Sequence, residues 1–118
     1  MVSMRKFEVA SVGVFANDFP GNEMDSGINE LIVTQDRDLV VGVFEGRTGE
    51  FRYRYATDEV VYVLEGEYRL EDLTTGAVID VKEGELVHIP KGAHLHVTLV
   101  RTPFRCLYAA HNDLSTLA

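Results

Sequence analysis

Within its 118 residues the sequence holds one cysteine, three prolines, no tryptophan, and 11 lysines and arginines against 19 aspartates and glutamates. Each scarcity excludes something. With Cys106 alone, no intramolecular disulfide can form, so stability has to come from a packed core. Its place in the apolar run Phe104 to Ala110 predicts a small buried hydrophobe rather than a reactive thiol. The deficit of basic residues leaves a net charge of −8 and a pI near 4.8. That excludes the clustered positive charge that nucleic acids and anionic membrane surfaces require. No apolar run exceeds five residues, far short of the roughly 20 that span a bilayer as a helix. The opening MVSMRKFEVA lacks the apolar stretch of a signal peptide, and the expected location is cytoplasmic. There is no Gly-rich phosphate loop opening a helix, no G-x-S-x-G elbow and no CxxC pair.

What is present reads as one globular domain, residues 1–118, with 46% hydrophobic and 25% charged residues and no low-complexity segment. Such a length buries roughly two thirds of the unfolded surface. After a weakly alternating start, NDFPGNEMDSG collects Asn17, Asp18, Pro20, Gly21 and Gly27 and predicts a loop able to reach a barrel mouth. Short β-rich runs follow: INELIVTQ, LVVGVFE, FRYRY, EVVYVL, EYRLED, AVIDV, ELVHI, HLHVTLV and FRCLYAA. Their spacing of roughly eight to eleven residues predicts an all-β sandwich or barrel, with no helix of any length. The breaks EGRTGE, LEGE, TTG, KEGE, PKG and RTP place Gly or Pro where the backbone angle is special or fixed. LEGE and KEGE read as hairpin turns.

Two stretches organise the rest. In TDEVVYVLEGE, six residues separate Glu59 from Gly66; in GELVHIPKG, five separate Gly84 from Pro90, with Gly92 next but one. This spacing resembles the paired signature of the cupin family, G-x5-H-x-H-x3(or 4)-E-x6-G followed by G-x5-P-x-G-x2-H-x3-N. Counting in that register puts Tyr53 and Tyr55 in the first two histidine places, Leu95 in the third and Leu99 in the asparagine place. Arg47 stands where the first glycine would be. Among cupins the two stretches look most like the ethanolamine-utilisation, EutQ-like group, where metal histidines are largely replaced by aromatic and apolar residues. The resemblance covers about residues 49–109. It implies a double-stranded β-helix, a jelly-roll cupin barrel of two antiparallel sheets, with a pocket in its wider mouth. It also implies a metabolic role near acyl or phosphoacyl chemistry.

In that register Tyr53, Tyr55 and Glu59 converge inside the barrel. Strict alternation in FRYRY puts Phe51, Tyr53 and Tyr55 on one face, with Arg52 and Arg54 on the other. Phenol hydroxyls can donate to a carboxylate or to a ligand oxygen. A carboxylate so placed is a candidate general acid or base, or an anchor for a polar ligand group. The three are the candidate catalytic residues, and with His88 the candidate ligand-binding set. The residues leave open whether the barrel is an enzyme, a non-catalytic small-molecule binder or an assembly subunit filled by its own side chains.

No cofactor is expected, because tyrosine, tyrosine and leucine in the histidine places make a poor set for a divalent metal. His94 and His96, two apart on one strand, could supply two legs of a metal site if His88 or Glu59 supplied a third. With Glu59 as the third, that requires a one-residue slip of the strand, which would turn the core leucines outward. With Leu95, Val97 and Leu99 inside, His94 and His96 lie outside; His111 is a further candidate. Both faces of EVVYVL are apolar, and Tyr62 and Leu64 on the face opposite Glu59 need covering. A homodimer is expected, with a small molecule as the other partner.

Overall fold

The computed structural model describes residues 4–16, 24–111 and 116–117. Their regular structure is almost entirely strand: β1 (Phe15–Ala16), β2 (Asp25–Val33), β3 (Val40–Thr48), β4 (Glu50–Arg54), β5 (Glu59–Asp72), β6 (Val78–Lys82), β7 (Leu86–Ile89), β8 (His94–Ala110) and β9 (Thr116–Leu117). A single 3-10 turn, Gln35–Arg37, joins β2 to β3. Every pairing is antiparallel. Of the predicted loop NDFPGNEMDSG, Asn17, Asp18, Pro20 and Gly21 lie outside the described residues, whereas Gly27 sits within β2, opposite Glu45 of β3.

Two long strands carry the architecture. Residues 59–63 of β5 pair with β7 on one side and with residues 106–110 of β8 on the other. β3 and then β2 extend that layer. Residues 67–72 of β5 pair instead with β6 and with residues 95–101 of β8, and β4 continues this second layer. The two layers face each other across a core that includes Val61, Val63, Tyr68, Leu70, Val97 and Phe104. This is a jelly roll of two antiparallel sheets.

The bend between the layers corrects the reading of LEGE. It is not a hairpin turn: β5 runs through it, and Gly66 sits at φ +83°, where the pairing with β8 slips register. A side chain at Gly66 would strike the carbonyl oxygens of Arg101 and Pro103, so glycine here permits close approach of two bent strands. KEGE is a turn, with Gly84 at φ +82°, but its flanking strands both pair with β5 rather than with each other. It passes the chain from one layer to the other. RTP likewise lies within the continuous β8. TTG behaves as read, closing the β5–β6 hairpin with the Asp72 carboxylate accepting from the Thr74 and Thr75 amides at 2.8 and 3.3 Å.

The chain before β1 crosses the outer face of the first layer and is held there by Arg105. Its guanidinium donates to Glu45 at 3.0 Å, to the Val9 carbonyl at 3.0 Å and to the Val12 carbonyl.

Candidate functional site

The inner face of FRYRY is aromatic as alternation requires. Phe51 and Tyr53 are half-buried, Tyr55 is 4% exposed, and Arg52 and Arg54 face outward. The start of β5 then brings in Glu59, half-buried on the face it shares with Val61 and Val63. Tyr53, Tyr55 and Glu59 line one cavity of about 90 Å³. By the same measure a single water needs roughly 10–15 Å³, so the space suits a small organic molecule.

Other strands complete the wall: Tyr68 from β5, Phe104, Cys106 and Tyr108 from β8, Phe44 from β3 and Ile28 from β2. A backbone without a side chain at Gly42 makes room for one of these, since a Cβ there would lie 2.6 Å from Tyr108 Cζ. These residues come from segments far apart in the chain and were not singled out by motif spacing. The signal that could have found them is the inward alternation Phe104, Cys106, Tyr108, which matches Phe51, Tyr53, Tyr55 across the barrel.

The rings touch in series. Tyr55 meets Tyr53 edge-on at 5.1 Å between centroids, Tyr53 meets Phe51 at 5.6 Å and Phe51 meets Phe44 at 6.4 Å. Phe44 lies 6.2 Å from Phe104, which stacks on Tyr68 at 4.5 Å. Such contacts favour edge-to-face and offset geometry because the ring face is negative and the edge positive. Burial pushes the Tyr55 phenol well above its ordinary pKa, and the Glu59 charge adds to the shift. Tyr68 is raised by burial, with smaller contributions from Cys106 and Glu59, and the Cys106 thiol by burial and then Glu59. All three stay protonated and neutral at physiological pH. The Tyr68 hydroxyl, on a residue 5% exposed, has no hydrogen-bond partner. No lysine or arginine lines the cavity among the described residues.

The histidines lie elsewhere. His88 pairs in register with the outward-facing Val60 and bonds Asp58 at 2.9 Å on the outer surface, so the structure does not bring it to the barrel group. It does lower the Asp58 carboxyl below its ordinary pKa, together with the Lys91 amide. Leu95, 7% exposed, and Val97, 1% exposed, point inward, which places His94 and His96 on the opposite face as alternation predicts. His96 is flanked by Glu50 at 3.3 Å and Glu71 at 3.5 Å on its two ring nitrogens. Carboxylates on opposite sides of a ring cannot converge on one ion. His111 contacts the Asp38 carbonyl at 2.7 Å, far along the sheet. No group of three His, Cys, Asp or Glu is arranged to hold a metal among the described residues. The family's four ligand places carry two phenols, one carboxylate and the apolar Leu95, and this donor set does not fit a divalent transition ion.

A jelly roll with a pocket between its sheets, a glycine bend at Gly66, a glycine turn at Gly84 and a carboxylate separated by six residues from the first of these glycines is the architecture of the cupins. The chain belongs to the EutQ-like cupin domain family, which matches residues 33–108. Among solved structures it is similar to an ethanolamine utilization protein Q (EutQ) of Salmonella typhimurium LT2, at 29% identity and a TM-score of 0.72, covering 88% of this chain and 82% of that one. The Clostridium difficile EutQ protein superposes at a TM-score of 0.74 with 22% identity, covering 90% and 85%. The polyketide cyclase RemF of Streptomyces resistomycificus shares the fold at a TM-score of 0.74 with 21% identity, covering 94% and 81%. No curated protein matches the sequence. No helix among the described residues is long and apolar enough to cross a membrane.

Proposed function

We propose that the barrel binds a small organic molecule, with Glu59 anchoring its polar group and Tyr53 and Tyr55 orienting it. The observation that carries this reading is the joint lining of one internal cavity by these three residues and by Tyr68, whose buried hydroxyl lacks a partner. An unsatisfied buried hydroxyl costs about 1–3 kcal/mol, which a polar group of a bound molecule would recover. If the bound molecule is turned over, Glu59 is the acid or base, since Tyr55, Tyr68 and Cys106 are held protonated. The phosphoacyl chemistry implied by the family resemblance finds no basic side chain in this wall. We keep the cytoplasmic location expected from the sequence as part of the proposal.

Glu59→Gln tests the anchor, because it keeps volume and hydrogen-bonding capacity while removing the charge. A functional Glu59 predicts an unchanged or higher melting temperature and loss of ligand binding. A merely structural carboxylate predicts intact binding and a loss of about 1–3 kcal/mol from a mismatched hydrogen bond. Thermal unfolding and calorimetric titration of the pair separate the two, and a destabilised variant with intact binding would sink the proposal.

We also propose a homodimer through the outer face of the first layer. Val60, Tyr62 and Leu86 are 38%, 40% and 66% exposed there, and β5–β7 pairing sets Tyr62 beside Leu86. Sedimentation at micromolar concentration should return twice the 13.2 kDa chain mass. A purely monomeric species would refute it.

A further inference from the structure

We propose that the ligand is a small organic cation, an alkylated ammonium free in solution, held against the aromatic wall with Glu59 as its counter-charge. This rests on the barrel being a ligand pocket and narrows what enters it. The wall carries one carboxylate and no basic group among the described residues. An anion would meet Glu59 directly, in surroundings where the charge is poorly screened. A cation would be attracted to it.

The ring series gives the second, independent reason. Six rings in successive contact, with Tyr108 beside them, surround a space of about 90 Å³. Ring faces attract a cation within about 6 Å, and most strongly where water is excluded. Phe44, Phe51 and Phe104 offer no acceptor for an N–H donor. A bare ammonium with three N–H groups would leave some unmet on that side, whereas an alkylated one presents methyl or methylene surface and spreads its charge over it. The phenols of Tyr55 and Tyr68, being protonated, add ring surface without adding charge. The Tyr68 hydroxyl remains free to donate to an oxygen on the same molecule. A space of about 90 Å³ fits a small free ammonium, and the same group carried on a chain is told apart from it by the competition arm of the test.

The test compares choline with its neutral isostere, in which carbon replaces the ammonium nitrogen, and with acetate, by calorimetric titration of the intact protein. Choline should bind at least about tenfold more tightly than the isostere. In Glu59→Gln that preference should shrink by about tenfold, with the melting temperature confirming the fold. Phe51→Leu should weaken choline more than the isostere, giving a second variant that leaves the carboxylate in place. If the isostere or acetate binds as tightly as choline, the cation assignment is overturned while the pocket stands. If choline, the isostere, acetate and a broad fragment panel all fail to bind, the pocket itself is refuted. A trimethyl-lysine peptide that outcompetes choline would overturn the free-metabolite assignment.

Discussion

Replacing Gly66 with alanine isolates what bends the two sheets together. Four glycines, Gly66, Gly76, Gly84 and Gly92, have φ between +80° and +88°, so alanine at any of them meets a similar left-handed penalty. That penalty is about 1–2 kcal/mol, partly offset by about 0.4–1 kcal/mol from the stiffer unfolded chain. At Gly76, Gly84 and Gly92 an added Cβ meets nothing within 4 Å. At Gly66 it meets the Arg101 carbonyl oxygen, lies 2.6 Å from the Pro103 carbonyl oxygen and 3.0 Å from Phe104 Cα. These are backbone atoms of the paired strand and cannot swing aside, so overpacking adds about 1–3 kcal/mol. Urea unfolding at neutral pH should therefore show Gly84→Ala losing about 1 kcal/mol and Gly66→Ala about 3 kcal/mol or more. For a domain of this size that gap is roughly 6–10 °C in melting temperature. If the two variants fall within about 0.5 kcal/mol of each other, the strands do not approach as closely at Gly66 as argued.

Arg105→Met keeps the apolar stem but removes three charge-assisted hydrogen bonds from a guanidinium whose side chain is 11% exposed. It should cost about 2–3 kcal/mol and raise amide exchange of residues 9–12, with exchange in β8 unaffected. Asp72→Ala should lower the melting temperature at pH 7 by opening the β5–β6 turn. The Asp72 carboxyl is held below its ordinary pKa, first by the Thr74 amide and also by Thr75 and His94. A depressed folded pKa contributes stability above the unfolded value of about 4, lost as pH falls through the folded value. The gap between wild type and variant should thus shrink below about pH 4 in thermal scans; a gap constant to pH 2 would refute the assignment.

What the sequence disclosed and what it hid follow from one physical distinction. Alternation is local, so FRYRY placed its rings inward, and Leu95, Val97 and Leu99 placed His94 and His96 outward without reference to any other strand. The place of His88 was not legible in this way. It depends on pairing with Val60, and the choice between inner and outer face came only with the register of β7 on β5. LEGE was misread for a related reason. A glycine at positive φ serves a hairpin turn and a strand bend equally well, and what decides between them at Gly66 is the Arg101 and Pro103 backbone, 35 and 37 residues later. Of the cavity wall, Tyr53, Tyr55 and Glu59 followed from motif spacing; Phe104 and Tyr108 were open to alternation but not to motif spacing, while Phe44 and Tyr68 required the assembled barrel.

The bend and the pocket are one construction. Phe104, the residue whose Cα approaches Gly66, is fully buried and stacks on Tyr68, two residues beyond Gly66 in β5. The closeness permitted by glycine therefore sets how far Phe104 and Tyr68 stand from the rings of β4 across the cavity. Ligand pockets built on loops can be retuned by loop changes, but this wall is carried by two strands that also hold both sheets together. Tyr53, Tyr55 and Leu95 stand where the cupin signature has histidines, on the same frame of strands. On the reading proposed above, a carboxylate among rings counters an organic charge where a carboxylate among imidazoles would coordinate a metal.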